Sequence, residues 1–276
     1  NRGISSDNHA YALMVGNANK LKIDQTAVGA GAATRNNTAI ALQRSVNNSI
    51  AIIQNSNESI SRDNFALWIQ RGEGNRGAID QSADINNDGG GKSIGNKAFW
   101  LQDGTGNDGI IEQRGEEGGF TRENTAILIQ KGKNNFGSID HESDGGRVRN
   151  NKGIWLQIGD NNGGFIDQDG ERGLSANNFT LRLQKGNGNM GGLNQDGLDG
   201  TSQNNKITWL QIGDKNNGTL RQNGRDGVSR GNSVFWLQRG DNHNGLIDQD
   251  GFGNRSEFNE ATIYQYGDEH FAEIIQ

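Results

Sequence analysis

Asn151-Lys152-Gly153-Ile154-Trp155-Leu156-Gln157-Ile158-Gly159-Asp160-Asn161-Asn162-Gly163-Gly164-Phe165-Ile166-Asp167-Gln168 is the stretch whose reading decides the fold. Relative to Gln157, an Asn stands six residues before, a Gly two after, an Asn five after and a Gln eleven after. The same offsets recur around ten pivots: Met14, Gln43, Gln70, Gln102, Gln130, Gln157, Gln184, Gln211, Gln238 and Gln265. From Gln130 onward the pivots are 27 residues apart. The copies span 8–25, 37–54, 64–81, 96–113, 124–141, 151–168, 178–195, 205–222, 232–249 and 259–276, with 1–7 as an N-terminal lead to a single repeat domain over 8–276. Repeats that fill a chain this completely call for one solenoidal or fibrous architecture.

Side chains alternate across a strand, so the pivot and the residues two, four and six before it share one face. The residues five to eleven after it form a second strand, across a four-residue arc such as Ile158–Asn161 whose Gly and Asn suit a turn. No helical period appears. Nine after the pivot the column is Ile or Leu throughout, from Ile23 to Ile274. Two before the pivot lie all five Trp (Trp68, Trp100, Trp155, Trp209, Trp236), and seven after it in the same copies lie Gly77, Gly109, Gly164, Gly218 and Gly245. Where the first position is small, as at Ala12 and Ala41, the second is large, as at Leu21 and Ile50. Trading volume this way is expected of two positions facing each other across a close-packed interior.

A hairpin meander and a β-arch solenoid pair the same residue indices. Like-with-like columns and the volume trade favour the solenoid, which predicts an all-β, cross-β, amyloid-like parallel β-solenoid of ten strand-arc-strand repeats in two facing sheets. At the ladder spacing it is about 48 Å long. Arg182 interrupts the Trp column; stacking places it between Trp155 and Trp209, where a cation–π sandwich offsets its burial. If it is stacked there, Arg182→Leu costs clearly more than if it reaches water. Stacked copies also lay amide over amide, so Asn96, Gln102, Asn107, Gln113, Asn151, Gln157, Asn162, Gln168, Asn178, Gln184, Asn189 and Gln195 are expected to form ladders.

Composition agrees with ladders. Proline is absent from 276 residues that include 43 glycines, and a residue within a sheet needs its N–H. With no cysteine there is no disulfide framework or thiolate metal site. The net charge of −6 disfavours nucleic acid and anionic membrane, and no apolar run is long enough to span a bilayer.

The pattern Asn, five residues, Gln, one residue, Gly, two residues, Asn, five residues, Gln, as at Asn96, Gln102, Gly104, Asn107 and Gln113, resembles the curlin repeat, and Ile263-Tyr264-Gln265-Tyr266-Gly267 is similar to the curli subunit's phrasing. The resemblance covers 8–276. It implies a secreted homopolymer of curli-like functional amyloid in the extracellular biofilm matrix, with a curli-type export pore and a surface nucleator as partners. The chain departs from the family in its linkers, mostly nine residues as in 169–177, in its larger number of repeats, in Met14 for Gln, in His141 for a terminal Gln, and in His243 and His270 for Asn.

No catalytic set, cofactor motif or metal-ligand cluster stands out. The histidines in amide slots read as hydrogen-bonding rings. The linker pairs Asp169-Gly170, Asp196-Gly197 and Asp250-Gly251 read as plain turns, since the nonapeptide order of calcium-binding β-rolls is missing. Asp24, Asp80, Glu112, Asp140, Asp167 and Asp248 form an outward column ten after the pivot, either gatekeepers against sticking or a solvated face. An outward apolar band through Leu101, Leu156, Leu183, Leu210 and Leu237 is too large to leave bare, which makes it a lateral interface or a surface that the linkers cover. Stacking end to end would join Asn8, Met14 and Gln25 of one chain to Asn259, Gln265 and Gln276 of the next. The alternative is a monomeric β-solenoid binding module for carbohydrate or ice.

Overall fold

The computed structural model describes residues 3–84, 90–251 and 253–276, and they form a parallel β-solenoid of ten turns. Among the described residues there is no helix. One turn runs through the strands Arg147–Arg149, Lys152–Ile158 and Phe165–Asp167. Every strand pairs with its counterpart one turn on: Trp68 with Trp100, Gln70 with Gln102, Trp155 with Arg182, and Arg182 with Trp209. The pivot strands and the second strands each build a ten-stranded sheet.

The expected two-sheet section is corrected in one respect, because the linkers are not turns alone. Their three-residue strands build a third ten-stranded sheet. Ile4–Ser6, read above as part of a lead, pairs with Ala33–Arg35 as that sheet's first strand. The middle residue of each short strand is small and usually hydroxylated, as at Ser61, Ser93, Ser175 and Ser202, all buried. Facing that column, thirteen after the pivot, are Ser56, Ser143, Gly170, Gly197 and Gly224. Ser56 and Ser143 bond to hydroxyls across the strip (Thr34 to Ser56 2.7 Å, Thr121 to Ser143 2.9 Å). At Gly224 even a Cβ would lie 1.8 Å from the Thr201 carbonyl oxygen. Beside the main core the linker thus folds a narrow strip of hydroxyls and backbone, which carries no apolar period.

Corners between sheets use left-handed backbone. In the sixth turn they are Asn150 (φ 55), Asn161 (φ 56) and Arg172 (φ 50), and Asn adopts this region at low cost. The motif glycine two after the pivot has its own reason: Gly159 has φ 116, and a Cβ there would lie 2.1 Å from the Gly186 carbonyl oxygen. Ser45 occupies this column with φ 104. Ser45→Gly is therefore expected to raise stability by about 1 kcal/mol, seen as a higher denaturant midpoint; an unchanged midpoint would mean the strain is not there.

The apolar core lies between the two longer sheets. Ala39, Ala41, Trp68, Trp100, Trp155, Trp209, Trp236, Ile52, Ile79, Ile111, Ile166 and Ile247 are all buried within it. The glycines opposite the indoles are sterically required. A Cβ at Gly77 would lie 2.2 Å from Trp100 Cη2, and one at Gly218 would lie 2.4 Å from Trp236 Cη2. Those at Gly109 and Gly245 would meet Trp100 at 3.1 Å and Trp236 at 2.7 Å, and one at Gly164 would meet Arg182 Nη1 at 2.5 Å.

Candidate functional site

Chemistry in this molecule is collective, carried by columns of identical groups. The pivot glutamines form one continuous ladder. Each Nε2 donates to the Oε1 of the next turn, from Gln43 to Gln70 at 3.0 Å, Gln102 to Gln130 at 3.0 Å, Gln157 to Gln184 at 3.1 Å, Gln184 to Gln211 at 2.9 Å and Gln238 to Gln265 at 3.0 Å. The indole N–H groups of Trp100, Trp155, Trp209 and Trp236 enter the same ladder, with Trp155 Nε1 donating to Gln184 Oε1 at 3.1 Å. All amides point the same way, so the column has a direction and a definite register.

Met14, paired with Gln43, ends this ladder. Gln43 Oε1 is buried with no hydrogen-bond partner among the described residues. Supplying the missing donor by Met14→Gln is expected to stabilise the fold by about 1 kcal/mol. Equilibrium unfolding would test this, and a loss of stability would show that Met14 contributes more by packing.

A second ladder joins the terminal glutamines. Gln25 donates to Gln54 at 2.8 Å, Gln81 to Gln113 at 2.8 Å, Gln168 to Gln195 at 2.6 Å and Gln195 to Gln222 at 2.9 Å, and the ladder ends with Gln249 donating to Gln276. His141 sits inside it. Its Nδ1 meets Gln113 Nε2 at 3.3 Å and its Nε2 meets Gln168 Oε1 at 2.6 Å. Following the ladder's direction, Nδ1 accepts and Nε2–H donates, so a neutral imidazole continues the chain of amides. Burial pushes its pKa down to about 4, against the opposing pull of the Gln168 bond.

The asparagines carry part of the expected side chain to side chain ladder, with Asn124 Nδ2 donating to Asn96 Oδ1 at 3.2 Å, Asn135 Nδ2 to Asn107 Oδ1 at 3.0 Å and Asn189 Nδ2 to Asn162 Oδ1 at 3.1 Å, and they bond the main chain as well. Their Oδ1 atoms accept the backbone N–H of the next turn's Asn: Asn8 from Asn37 at 3.0 Å, Asn96 from Asn124 at 3.0 Å, Asn151 from Asn178 at 2.9 Å and Asn178 from Asn205 at 3.0 Å. At the far end Asn259 N donates to Asn232 Oδ1 at 2.9 Å. The arc asparagines do the same, with Asn107 accepting from Asn135, Asn162 from Asn189 and Asn189 from Asn216, each at 3.0 Å. Their Nδ2 groups donate to the motif glycine carbonyls, as Asn162 to Gly186 at 2.8 Å. An Asn at a corner satisfies main-chain groups that the bend takes out of the sheet. Both amides therefore bond their like and the backbone, as Gln102 Nε2 also donates to the Arg76 carbonyl at 2.9 Å.

Arg182 lies where the sequence put it. It is fully buried, with its guanidinium carbon 4.4 Å from the Trp155 ring centroid and 4.7 Å from that of Trp209. Nη1 donates to the Gly191 carbonyl at 2.8 Å. Burial pushes its pKa down to about 9, which leaves it charged at neutral pH.

Three features escaped sequence reasoning. The hydroxyl column is one: Ser175 Oγ donates to the Gln195 carbonyl at 3.1 Å and receives Asn178 Nδ2 at 3.1 Å, tying the third sheet to the main core. Ser or Thr nine residues before nearly every pivot was the signal available for it. Another is that linker aspartates are structural neighbours of the outward acidic column. Burial first, and then Asp196, raise Asp169 well above the usual carboxylate range; Asp167 is raised by burial and by Asp169 and Asp196, while Asp196 itself rises to about 6. The third is that carboxyl oxygens of Glu112, Asp140 and Glu142 all lie within 4.8 Å of one another, a grouping able to hold a metal ion.

On the outer side of the pivot sheet, Leu101, Leu156, Leu183, Leu210 and Leu237 are half-buried by their stacked neighbours, whereas Leu13 and Tyr264 in the first and last turns are 58% and 59% exposed. No protein-family model matches the chain, and no curated protein matches it.

Proposed function

We propose that this chain is the structural subunit of an extracellular, curli-like amyloid fibre that grows by stacking turn on turn and supports a biofilm matrix and adhesion. The observation that carries the reading is the unbroken, one-way Gln ladder running from Gln43 to Gln265 in register with three parallel sheets. Any turn edge without a neighbour presents the donors, acceptors and apolar steps that another such turn completes. In this proposal Gln276 Nε2 of one copy donates to Gln25 of the next and Asn259 Oδ1 accepts from Asn8 N–H. Gln265 meets Met14, so the joint has one ladder fewer than the turns within the chain. The half-exposed Leu band bundles neighbouring filaments, and export and surface nucleation follow the curli pattern implied by the repeat.

A carbohydrate-binding alternative finds little support, since the five Trp lie in the core rather than on a face. The proposal is tested by seeding. Sonicated assembled chain added to monomer freshly diluted from denaturant should abolish the lag in assembly, because it supplies ready-made turn edges. A lag unaffected by seeds would sink the templating reading.

A further inference from the structure

We propose that the acidic groove between the second sheet and the linkers is a binding site for a hard divalent cation of the calcium class, seated among Glu112, Asp140 and Glu142. These residues lie on adjacent turns, with Glu112 paired to Asp140 in the ladder. One carboxyl oxygen from each comes within 4.8 Å of the other two. Calcium takes oxygen ligands at about 2.3–2.6 Å, so ligands on opposite sides of one ion are about 5 Å apart. The three oxygens are spaced as an ion would hold them.

A second observation points to a missing positive partner. Asp140 Oδ1 is sealed from solvent and has no hydrogen-bond partner among the described residues. Along the same column Asp167 Oδ1 and Asn194 Oδ1 are in the same condition, and the three residues are consecutive in register. Native structures rarely leave buried acceptors without a donor or an ion. Asp140 is the one of the three that belongs to the cluster, and its unpartnered carboxyl oxygen is where positive charge would be stabilised.

The protein's own cation neutralises the cluster only in part. Arg114 contacts Glu142 at 2.9 Å, Glu112 at 3.2 Å and Glu116 at 3.4 Å. One guanidinium thus serves three carboxylates, and Asp140 has no ion pair among the described residues. Burial would lower Arg114, but Glu142 and Glu112 outweigh it and hold the guanidinium above its usual value. Asp140 itself is raised by burial and by Asp169 and Glu112. The donor set is oxygen alone, which selects a hard ion over zinc or copper. Calcium accepts a flexible oxygen shell, whereas magnesium demands a near-octahedral one, so calcium is the ion to test first.

Equilibrium dialysis of the folded full chain against calcium chloride, at neutral pH and physiological ionic strength, tests this directly. The expected result is saturable binding of about one ion per chain. Asp140→Asn and Glu142→Gln should each weaken it by roughly tenfold or more, while Asp24→Asn, a carboxylate of the same column beside Lys22, should leave it unchanged. Circular dichroism would establish that each variant is folded. As a second readout, calcium should raise the melting midpoint of the parent chain relative to EDTA and have little effect on Asp140→Asn. Absence of saturable binding would overturn the proposal, as would equal binding by Asp140→Asn and Glu142→Gln or full displacement by sodium chloride of matched ionic strength.

Discussion

Trp209→Ala is expected to lower the unfolding free energy by about 4 kcal/mol or more. The indole is fully buried, stacked 4.8 Å from Trp236 at an interplanar angle of 6° and 4.7 Å from the Arg182 guanidinium. Opposite it stands Gly218, so no side chain is positioned to collapse into the space. Truncation costs the transfer energy of the indole and leaves a cavity. It also removes one face of the sandwich that makes a buried arginine tolerable, and the donor that Trp209 Nε1 offers Gln238 Oε1 at 3.3 Å. Refilling from the other side fails, because a Cβ at Gly218 would still lie 2.4 Å from Trp236 Cη2. Trp209→Ala/Gly218→Ile should thus be no more stable than Trp209→Ala. Trp209→Leu should lose less, since Leu128 already sits between Trp100 and Trp155 in the same column. Denaturant unfolding of the folded chain measures all three. A cost below about 1 kcal/mol for Trp209→Ala would mean that the Trp column is not the core.

The pH dependence carried by His141 is expected to be nearly as large. Its folded pKa of about 4 lies below the unfolded value of 6.5. Between those values the unfolded chain binds a proton that the folded chain does not. Stability is therefore complete above 6.5 and falls as pH drops towards 4, by about 3 kcal/mol in total. The physical event is the insertion of a second N–H where the ladder needs an acceptor for Gln113. His141→Gln replaces the ring by the amide found elsewhere in the column. The variant should match the parent at neutral pH and exceed it by about 3 kcal/mol near pH 4. Carboxylates act in the opposite sense. Asp140, Asp167, Asp169 and Asp196 have raised pKa values, so their burden is present at neutral pH and is relieved as pH falls through those values. They are common to both proteins, so the difference between the two pH profiles isolates the histidine. Parallel profiles would show that His141 does not titrate through the folding transition.

The main core was legible because its signals are large and local in register. Trp trading against Gly at a fixed separation can be read from residue volumes alone, and one charge in an aromatic column has few places to go. That is why Trp155, Arg182 and Trp209 could be placed in order before any fold was known. The third sheet was not legible for the opposite reason. Ser61, Ser93 and Gly224 bury little apolar area, so a hydrophobic period passes over them, and their role depends on how closely two backbones approach. The Asn ladder was legible only in part: Asn189 Nδ2 does reach Asn162 Oδ1 at 3.1 Å, but the corner geometry also brings the Asn189 main-chain N–H to the same oxygen at 3.0 Å, which residue spacing does not announce. Asp169 and Asp196 looked like turn residues because each is followed by Gly. Only folding the linker back beside Asp140 and Asp167 shows that the two columns share one groove.

Dilution from denaturant followed by negative-stain electron microscopy and fibre diffraction tests the central claim most directly. The account predicts long unbranched filaments with a meridional reflection near ~4.8 Å, the spacing of parallel turns continued from one copy into the next. Stable, discrete particles about 5 nm long, unchanged by seeds, would contradict it and turn attention to the solenoid as a self-contained binding module.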